Sequence, residues 1–177
     1  AHHSQEDEGR LRMQCLPHQQ QPEGLPVIVT TSRDPSPGTR RFARALASFL
    51  SLSYVNRGKS GMGGGEEEEA EAALVVVEDH GNPSGIVKRF CGGEDRLSFR
   101  LSGELQAGRM KAREAVICGE EEACRPIASL FDLKWQGNSA PFPAAEKYAN
   151  KEARVIVVAP GCIDFIDNGA IRFRLKT

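Results

Sequence analysis

Apolar positions follow two periods along this chain, and the switches between them mark out its elements. The β-branched run Val27 to Thr31 predicts a buried strand. Ser36 followed by Pro37 predicts a helix start, since a serine oxygen caps free N–H groups and proline fits the first helical position. Phe42, Ala45, Leu46, Phe49 and Leu50 then fall on one face of an amphipathic helix. Tyr54 and Val55 form a short strand, and Leu74 to Glu78 a second buried one. Turn residues His80 to Pro83 lead into strands at Ile86 to Phe90 and Leu97 to Leu101, separated by the loop CGGED. The rhythm then restarts. Ala115 to Cys118 is a strand, and Cys124 to Leu133 a helix with Ile127, Leu130 and Phe131 on one face. Val155 to Ala159 is a strand, and Cys162 to Asp167 pairs with Ile171 to Leu175 around the hairpin turn Asn168-Gly169. Glu66 to Ala73 has helix propensity but little to bury, and Ala145 to Lys151 forms a helical turn. Gly61 to Gly65, Gly103 to Gly108 and Lys134 to Ala144 are breaks. Residues 1 to 24 are polar with no hydrophobic period and form a disordered tail, leaving one domain over residues 25–177.

Three segments recur in order. ALASFL (45–50) matches PIASLF (126–131), LVVVE (74–78) matches VIVVA (155–159), and LSFRL (97–101) matches IRFRL (171–175). The expected fold class is therefore α/β, an internally duplicated α/β unit with halves at about 25–108 and 109–177 that share a core.

Composition changes the picture mainly through charge. Twenty-three Lys and Arg against 24 Asp and Glu leave a net −1, but the signs are segregated. Residues 25 to 60 carry six basic side chains against one aspartate, and residues 61 to 82 carry seven carboxylates and no Lys or Arg. A neutral total is compatible with a basic face. The five cysteines are odd in number and form no C-x-x-C pair, which argues against a disulfide framework and a zinc site; they are expected to be ordinary buried thiols. No apolar run approaches the ~20 residues that span a bilayer. The expectation is a cytoplasmic protein, a monomer on its own, with no membrane contact.

Candidate chemistry is sparse apart from the arginines. GKS at 58–60 suggests a phosphate loop, but Ser53 stands where the first glycine belongs and the preceding element is not a simple strand-to-helix turn. A nucleotide- or phosphate-binding enzyme using the 56–65 loop is the alternative reading. His80 is the one histidine outside the tail, the carboxylates sit in runs, and no spacing joins nucleophile, base and orienting group. No catalytic residue, metal ligand or cofactor is assigned. By contrast Arg33, Arg40, Arg41, Arg44, Arg57 and Lys59 crowd one strand-helix-loop unit, with Asn56 beside them, and Arg100, Arg172 and Arg174 alternate with apolar residues in the repeated strands. The ordinary alternative for these charges is a solvated face salt-bridged to the acidic segment after Gly65. Guanidinium forks suit phosphate, and the scarcity of interleaved aromatics points to recognition of backbone and shape rather than stacking.

TTSRDPSPGTRRFARALASFL, YVNRGK and LVVVEDHGNPSGI, in that order and spacing, resemble the Brix-domain family of ribosome-biogenesis proteins, most closely its short archaeal members. The motifs lie within residues 27–90, and the two-half organisation extends the likeness to about residue 177. The resemblance implies halves each similar to the anticodon-binding domain of class II aminoacyl-tRNA synthetases. It also implies a non-catalytic RNA-binding factor in the processing and assembly of ribosomal RNA, for which the clustered arginines are the expected basic surface on ribosomal RNA or its precursor; the acidic run from Glu66 to Glu71 offers a face to basic ribosomal or other assembly proteins. One stretch departs from the family pattern: SGMGGGEEEEAEAA follows NRGK where members continue into a leucine-bearing amphipathic helix.

Overall fold

The structure is a computed structural model and describes residues 27–56, 70–106, 108–137 and 154–177. Strand β1 (Val27–Thr31) leads to helix α1 (Pro37–Leu50) and the short strand β2 (Ser53–Tyr54). Strands β3 (Ala72–Asp79), β4 (Asn82–Phe90) and β5 (Gly93–Ser98) follow as a meander, and β6 (Arg100–Ser102) continues after a break at Phe99. The second series is β7 (Ala115–Cys118), α2 (Glu121–Phe131), β8 (Arg154–Ala159), β9 (Cys162–Asp167) and β10 (Ala170–Lys176).

The strands make two five-stranded sheets, ordered β2-β1-β3-β4-β5 and β6-β10-β9-β8-β7. In each, the strand before the helix pairs parallel with the strand after it, and two antiparallel neighbours follow. Even β2 has an echo: Trp135 bridges Ile117 in parallel at the β7 edge. The sheets differ at their other ends. β10 is covered by β6, which belongs by sequence to the first series and pairs Arg100 with Lys176, Leu101 with Leu175 and Ser102 with Arg174. The boundary between sheets therefore falls at Phe99, ahead of the break expected near residue 108.

Both helices are held between the two sheets. Alternation puts Val29, Leu74, Val76 and Ile86 of the first sheet and Ile117, Ile156, Phe165 and Phe173 of the second into one core with the apolar stripes of α1 and α2. At its centre the ring of Phe42 packs edge-on to Phe173, Phe49 edge-on to Phe165 and Phe173, and Phe165 stacks on Phe173 at 4.3 Å. Each such pair adds about 0.5–1.5 kcal/mol beyond its buried area. The opposite sheet faces carry separate apolar clusters, with Ile28, Ala73, Val75 and Val87 on one and Cys118, Val155, Val157 and Ile166 on the other.

Several expectations shift at their edges. Ala72 and Ala73, expected to end an acidic helix, open β3, and Ala70 and Glu71 before them are not helical; residues 66–69 of that segment, like the turn expected at 145–151, lie outside the described residues. The CGGED loop shrinks to Cys91-Gly92, with Gly93, Glu94 and Asp95 already paired to β4. Cys118, Cys124 and Cys162 are not in disulfides, but Cys91 is disulfide-bonded. An odd count and missing C-x-x-C spacing speak against a stapled framework and do not exclude a single bridge.

Candidate nucleic-acid interface

The start of α1 is pinned by its own cap and by a carboxylate from β3. Ser36 has extended backbone and its Oγ accepts from the Thr39 N–H at 3.2 Å, while Pro37 occupies the first helical position. Glu78 accepts from the Ser36 N–H at 3.0 Å and from the Thr39 hydroxyl at 2.5 Å, and Ser36 Oγ donates to the Gly81 carbonyl at 2.6 Å. The Thr39 hydroxyl bond is the largest influence holding the Glu78 carboxyl below its usual range. This clip fixes α1 to the turn His80-Gly81, where both residues have positive φ, at 50° and 79°. The negative charge a helix N-terminus attracts is thus supplied internally.

From that anchored start the helix sets the arginines. Thr39, Phe42, Ala43, Ala45, Leu46, Ala47 and Phe49 are buried, so Arg41 and Arg44, three residues apart, stand on the solvent face. Arg40 lies at the edge of the stripe, half-buried, with Nε lacking a partner. Arg44 sits over the Tyr54 ring at 5.4 Å, and Arg33 is exposed in the β1–α1 loop. Arg33, Arg41 and Arg100 form no ion pair or hydrogen bond among the described side chains. Asn56 is exposed just past β2, and Arg57 and Lys59, with the rest of the 56–65 loop, lie outside the described residues.

The repeated-strand arginines divide. Register places Arg100 beside Lys176, and Arg174 beside Ser102 and Asp164, on the face of the second sheet turned away from α1. Arg174 is engaged there: its Nε and Nη2 donate to the two oxygens of Asp164 at 2.5 and 3.0 Å, and that bond raises the Arg174 pKa further. Arg172 is half-buried, its Nε unpartnered, within reach of Gly108.

The crossing between the two series brings basic side chains from the stretch after the expected break at Gly103 to Gly108, to which sequence reasoning assigned no element or role. Gln106 N–H donates to the Arg172 carbonyl at 2.8 Å, Met110 N–H to Ser48 Oγ at 3.3 Å, and Arg113 N–H to Ser51 Oγ at 3.0 Å. Gln106 therefore lies beside β10 and residues 108–113 beside the C-terminal half of α1, with Met110 buried and Arg109 and Lys111 exposed. Arg41, Arg44, Arg109 and Lys111 extend along α1 and this crossing. The signal in the sequence was apolar Met110 between basic neighbours, too short to show a period.

Two buried cations, also missed, hold the frame. Arg154, 1% exposed, donates from Nη1 to the Phe49 carbonyl at 3.0 Å, from Nη2 to the Lys111 carbonyl at 2.5 Å and from Nε to Asp167 at 3.1 Å. Lys88 donates to the Ser129 carbonyl at 2.9 Å and to both Asp132 oxygens at 3.0 Å. Each sheet thus sends a cation to the C-terminal carbonyls of the other series' helix, where the helix dipole favours positive charge.

The sequence has relatives with this architecture. A probable Brix domain-containing ribosomal biogenesis protein of Methanothermobacter thermautotrophicus is 40% identical over 132 residues, covering 70% of this chain and 83% of that one. The chain belongs to the Brix-domain family of ribosomal biogenesis proteins. A Brix-domain relative of the same description in Methanococcoides burtonii is 29% identical over 157 residues, covering 85% of this chain and 94% of that one. Among solved structures, Mil, an archaeal Imp4-like protein, superposes with a TM-score of 0.60 at 25% identity, covering 85% of this chain and 95% of Mil. A probable ribosomal biogenesis protein from Aeropyrum pernix K1 has a similar fold, at a TM-score of 0.57 and 22% identity, over 86% of this chain and 94% of that one. No family model matches the chain. Among the described residues of this Brix domain no group of His, Cys, Asp and Glu is arranged to hold a metal, and no helix is long and apolar enough to cross a membrane.

Proposed function

We propose that this chain is a non-catalytic RNA-binding factor of ribosome biogenesis, holding ribosomal RNA or its precursor on the basic flank of α1 while other proteins fold and process it. The observation that carries the reading is a line of exposed cations, Arg41 and Arg44 on the helix and Arg109 and Lys111 on the crossing beside it, with no carboxylate paired to any of them among the described residues. Arg33 extends the line at the N-terminal end. Arg174 is left out, because a guanidinium forked onto Asp164 is already neutralised. Arg100 and Lys176 form a separate patch on the far side of the second sheet. Rigid placement favours phosphate recognition: the Glu78 clip and the Arg154 cluster fix both ends of α1, so little side-chain-bearing backbone must be ordered on binding. The repeated strand order supports reading the domain as a duplication of one α/β unit, and the likeness of each half to an anticodon-binding domain belongs to the same reading.

The test is binding of a precursor ribosomal RNA fragment across a salt series. Four phosphate contacts give a log-log slope of about −3. Arg41→Glu with Arg44→Glu should lower affinity about tenfold or more and flatten the slope by about 1.5. Arg174→Gln with Asp164→Asn, which keeps a neutral hydrogen-bonded pair, should leave both unchanged. Affinity and slope untouched by the charge reversal would overturn the assignment.

A further inference from the structure

Beside Arg41 an open cleft of about 500 Å³ lies between α1, the β3–β4 turn and the segment after β6. We propose that this cleft is a base-reading subsite for one unpaired guanine nucleotide of the bound RNA. The inference rests on the RNA-binding reading above and deepens it, adding a sequence preference to a surface otherwise described by charge.

The cleft has the make-up of a small-ligand site: an apolar wall with a few polar groups converging on it. Pro83, buried, and Leu101 and Leu105, half-buried, form the wall. Arg41, Asn82 and Glu104 supply the polar groups. Asn82 is held by its side-chain N–H to the His80 carbonyl at 3.4 Å. Arg41 and Glu104 are both exposed and line the same cleft, yet no ion pair joins them, and neither has another charged partner among the described residues. Two opposite charges across an apolar-walled gap suit a ligand that carries an anion at one end and hydrogen-bond donors at the other.

Glu104 is the decisive group. On a surface that attracts phosphates, a lone carboxylate opposes binding unless something donates to it. A carboxylate accepts only, through two parallel oxygens. Of the four RNA bases, guanine alone presents two adjacent donors, N1–H and the 2-amino group. Adenine places its 6-amino group beside the N1 lone pair, cytosine its 4-amino group beside N3, and uracil flanks N3–H with two carbonyls. Each of those sets a lone pair against Glu104. With a guanine edge on Glu104, the faces of the base rest on Pro83 and the two leucines, and Arg41 takes the phosphate. Local backbone supports the geometry: Pro83 and Asn82 follow the turn that the Glu78 clip fixes to α1, and Leu101 is paired to Leu175 in the second sheet.

The experiment is anisotropy titration of the full chain with labelled oligouridylates carrying one central guanine, inosine, adenine or cytosine. The guanine oligomer should bind about 5- to 150-fold more tightly than plain oligouridylate, the range for one bidentate base contact. Inosine, which lacks the 2-amino group, should fall between. Glu104→Gln should remove most of the guanine preference and leave affinity for oligouridylate equal or slightly higher. Arg41→Ala should weaken all oligomers by a similar factor. Equal affinity for every base, or a guanine preference that survives Glu104→Gln, overturns the subsite while leaving the RNA-binding reading in place. Failure of every oligomer and of the longer RNA to bind overturns both.

Discussion

Removing the guanidinium of Arg154 tests whether the two series are locked together by a buried cation. Arg154 is fully enclosed at the start of β8, and its side chain reaches five groups of the first series and the crossing. Nη1 donates to the carbonyls of Phe49 and Ser48 at 3.0 and 3.4 Å, to Ser51 Oγ at 3.3 Å and to the Arg113 carbonyl at 3.4 Å, and Nη2 to the Lys111 carbonyl at 2.5 Å. Asp167, with 11% of its side chain exposed, neutralises it at 3.1 Å, and the Phe49 ring lies 5.4 Å from the guanidinium carbon. Arg154→Met keeps the volume of the stem and deletes the charge. It leaves Asp167 nearly buried without its cation, a change that costs about 3–5 kcal/mol for pairs of this kind. It also strips donors from the last carbonyls of α1. For a chain of this length about 2–4 °C of melting temperature goes with each kcal/mol, so the variant should melt roughly 6–20 °C below the parent.

The assay is urea and thermal unfolding followed by fluorescence of the single tryptophan, Trp135, which sits in the second series and donates from its indole N–H to the Gly119 carbonyl at 2.9 Å. Two companion variants separate the causes. Arg154→Lys restores charge but one ammonium cannot span acceptors arranged around a planar fork, so only part of the loss should return. Arg154→Met with Asp167→Leu removes the stranded carboxylate and should recover a large share of the stability, since an apolar pair can replace a buried ion pair at little cost. A melting temperature for Arg154→Met within about 2 °C of the parent would refute the reasoning. So would a double variant less stable than the single one.

Lys88→Met should cost less, about 1–2 kcal/mol, because Asp132 is 60% exposed and rehydrates when its partner goes; urea midpoints measure it. Glu78→Gln should lower stability at neutral pH by about 0.5–1 kcal/mol through loss of charge at the α1 N-terminus, while the cap hydrogen bonds persist. The Glu78 carboxyl titrates below its ordinary 4.5, so its contribution is complete above that value and is lost as pH falls through the depressed one. The gap between parent and variant should therefore close in acid, and a gap unchanged from pH 7 to pH 2 would show that the clip does not depend on charge.

Most of the fold was legible because buried strands and an amphipathic helix write their period into a few residues. Val27 to Thr31, the Ser36-Pro37 start, Ala115 to Cys118 and the Asn168-Gly169 turn fall where local chemistry puts them. The recurring segments also point to a repeated strand order, since LVVVE and VIVVA occupy equivalent interior strands, β3 and β8, each between a parallel and an antiparallel neighbour. What local pattern could not carry was partnership across the chain. Nothing in LSFRL announces that it breaks at Phe99 and gives its last residues to the other sheet, because that choice is made by the unpaired edge of β10.

The same limit decides how the arginines read. Spacing along α1 shows which side chains leave the apolar stripe, and so separates Arg41 and Arg44 from the core. It does not distinguish a free cation from an engaged one. Arg172 and Arg174 share a strand motif with Arg100, yet Asp164, ten residues before Arg174, is placed opposite it by hairpin register alone. Arg154 reads as the edge of an apolar strand and turns out to be the most connected cation described. Lys111 and Arg113 lend it backbone carbonyls, so the buried cation that joins the series also fixes the crossing whose exposed side chains extend the basic flank. If Arg154→Met loosens that crossing, RNA affinity at a temperature where the variant is still folded should fall although no phosphate contact has been removed, and the salt slope should flatten only by the share carried by Arg109 and Lys111.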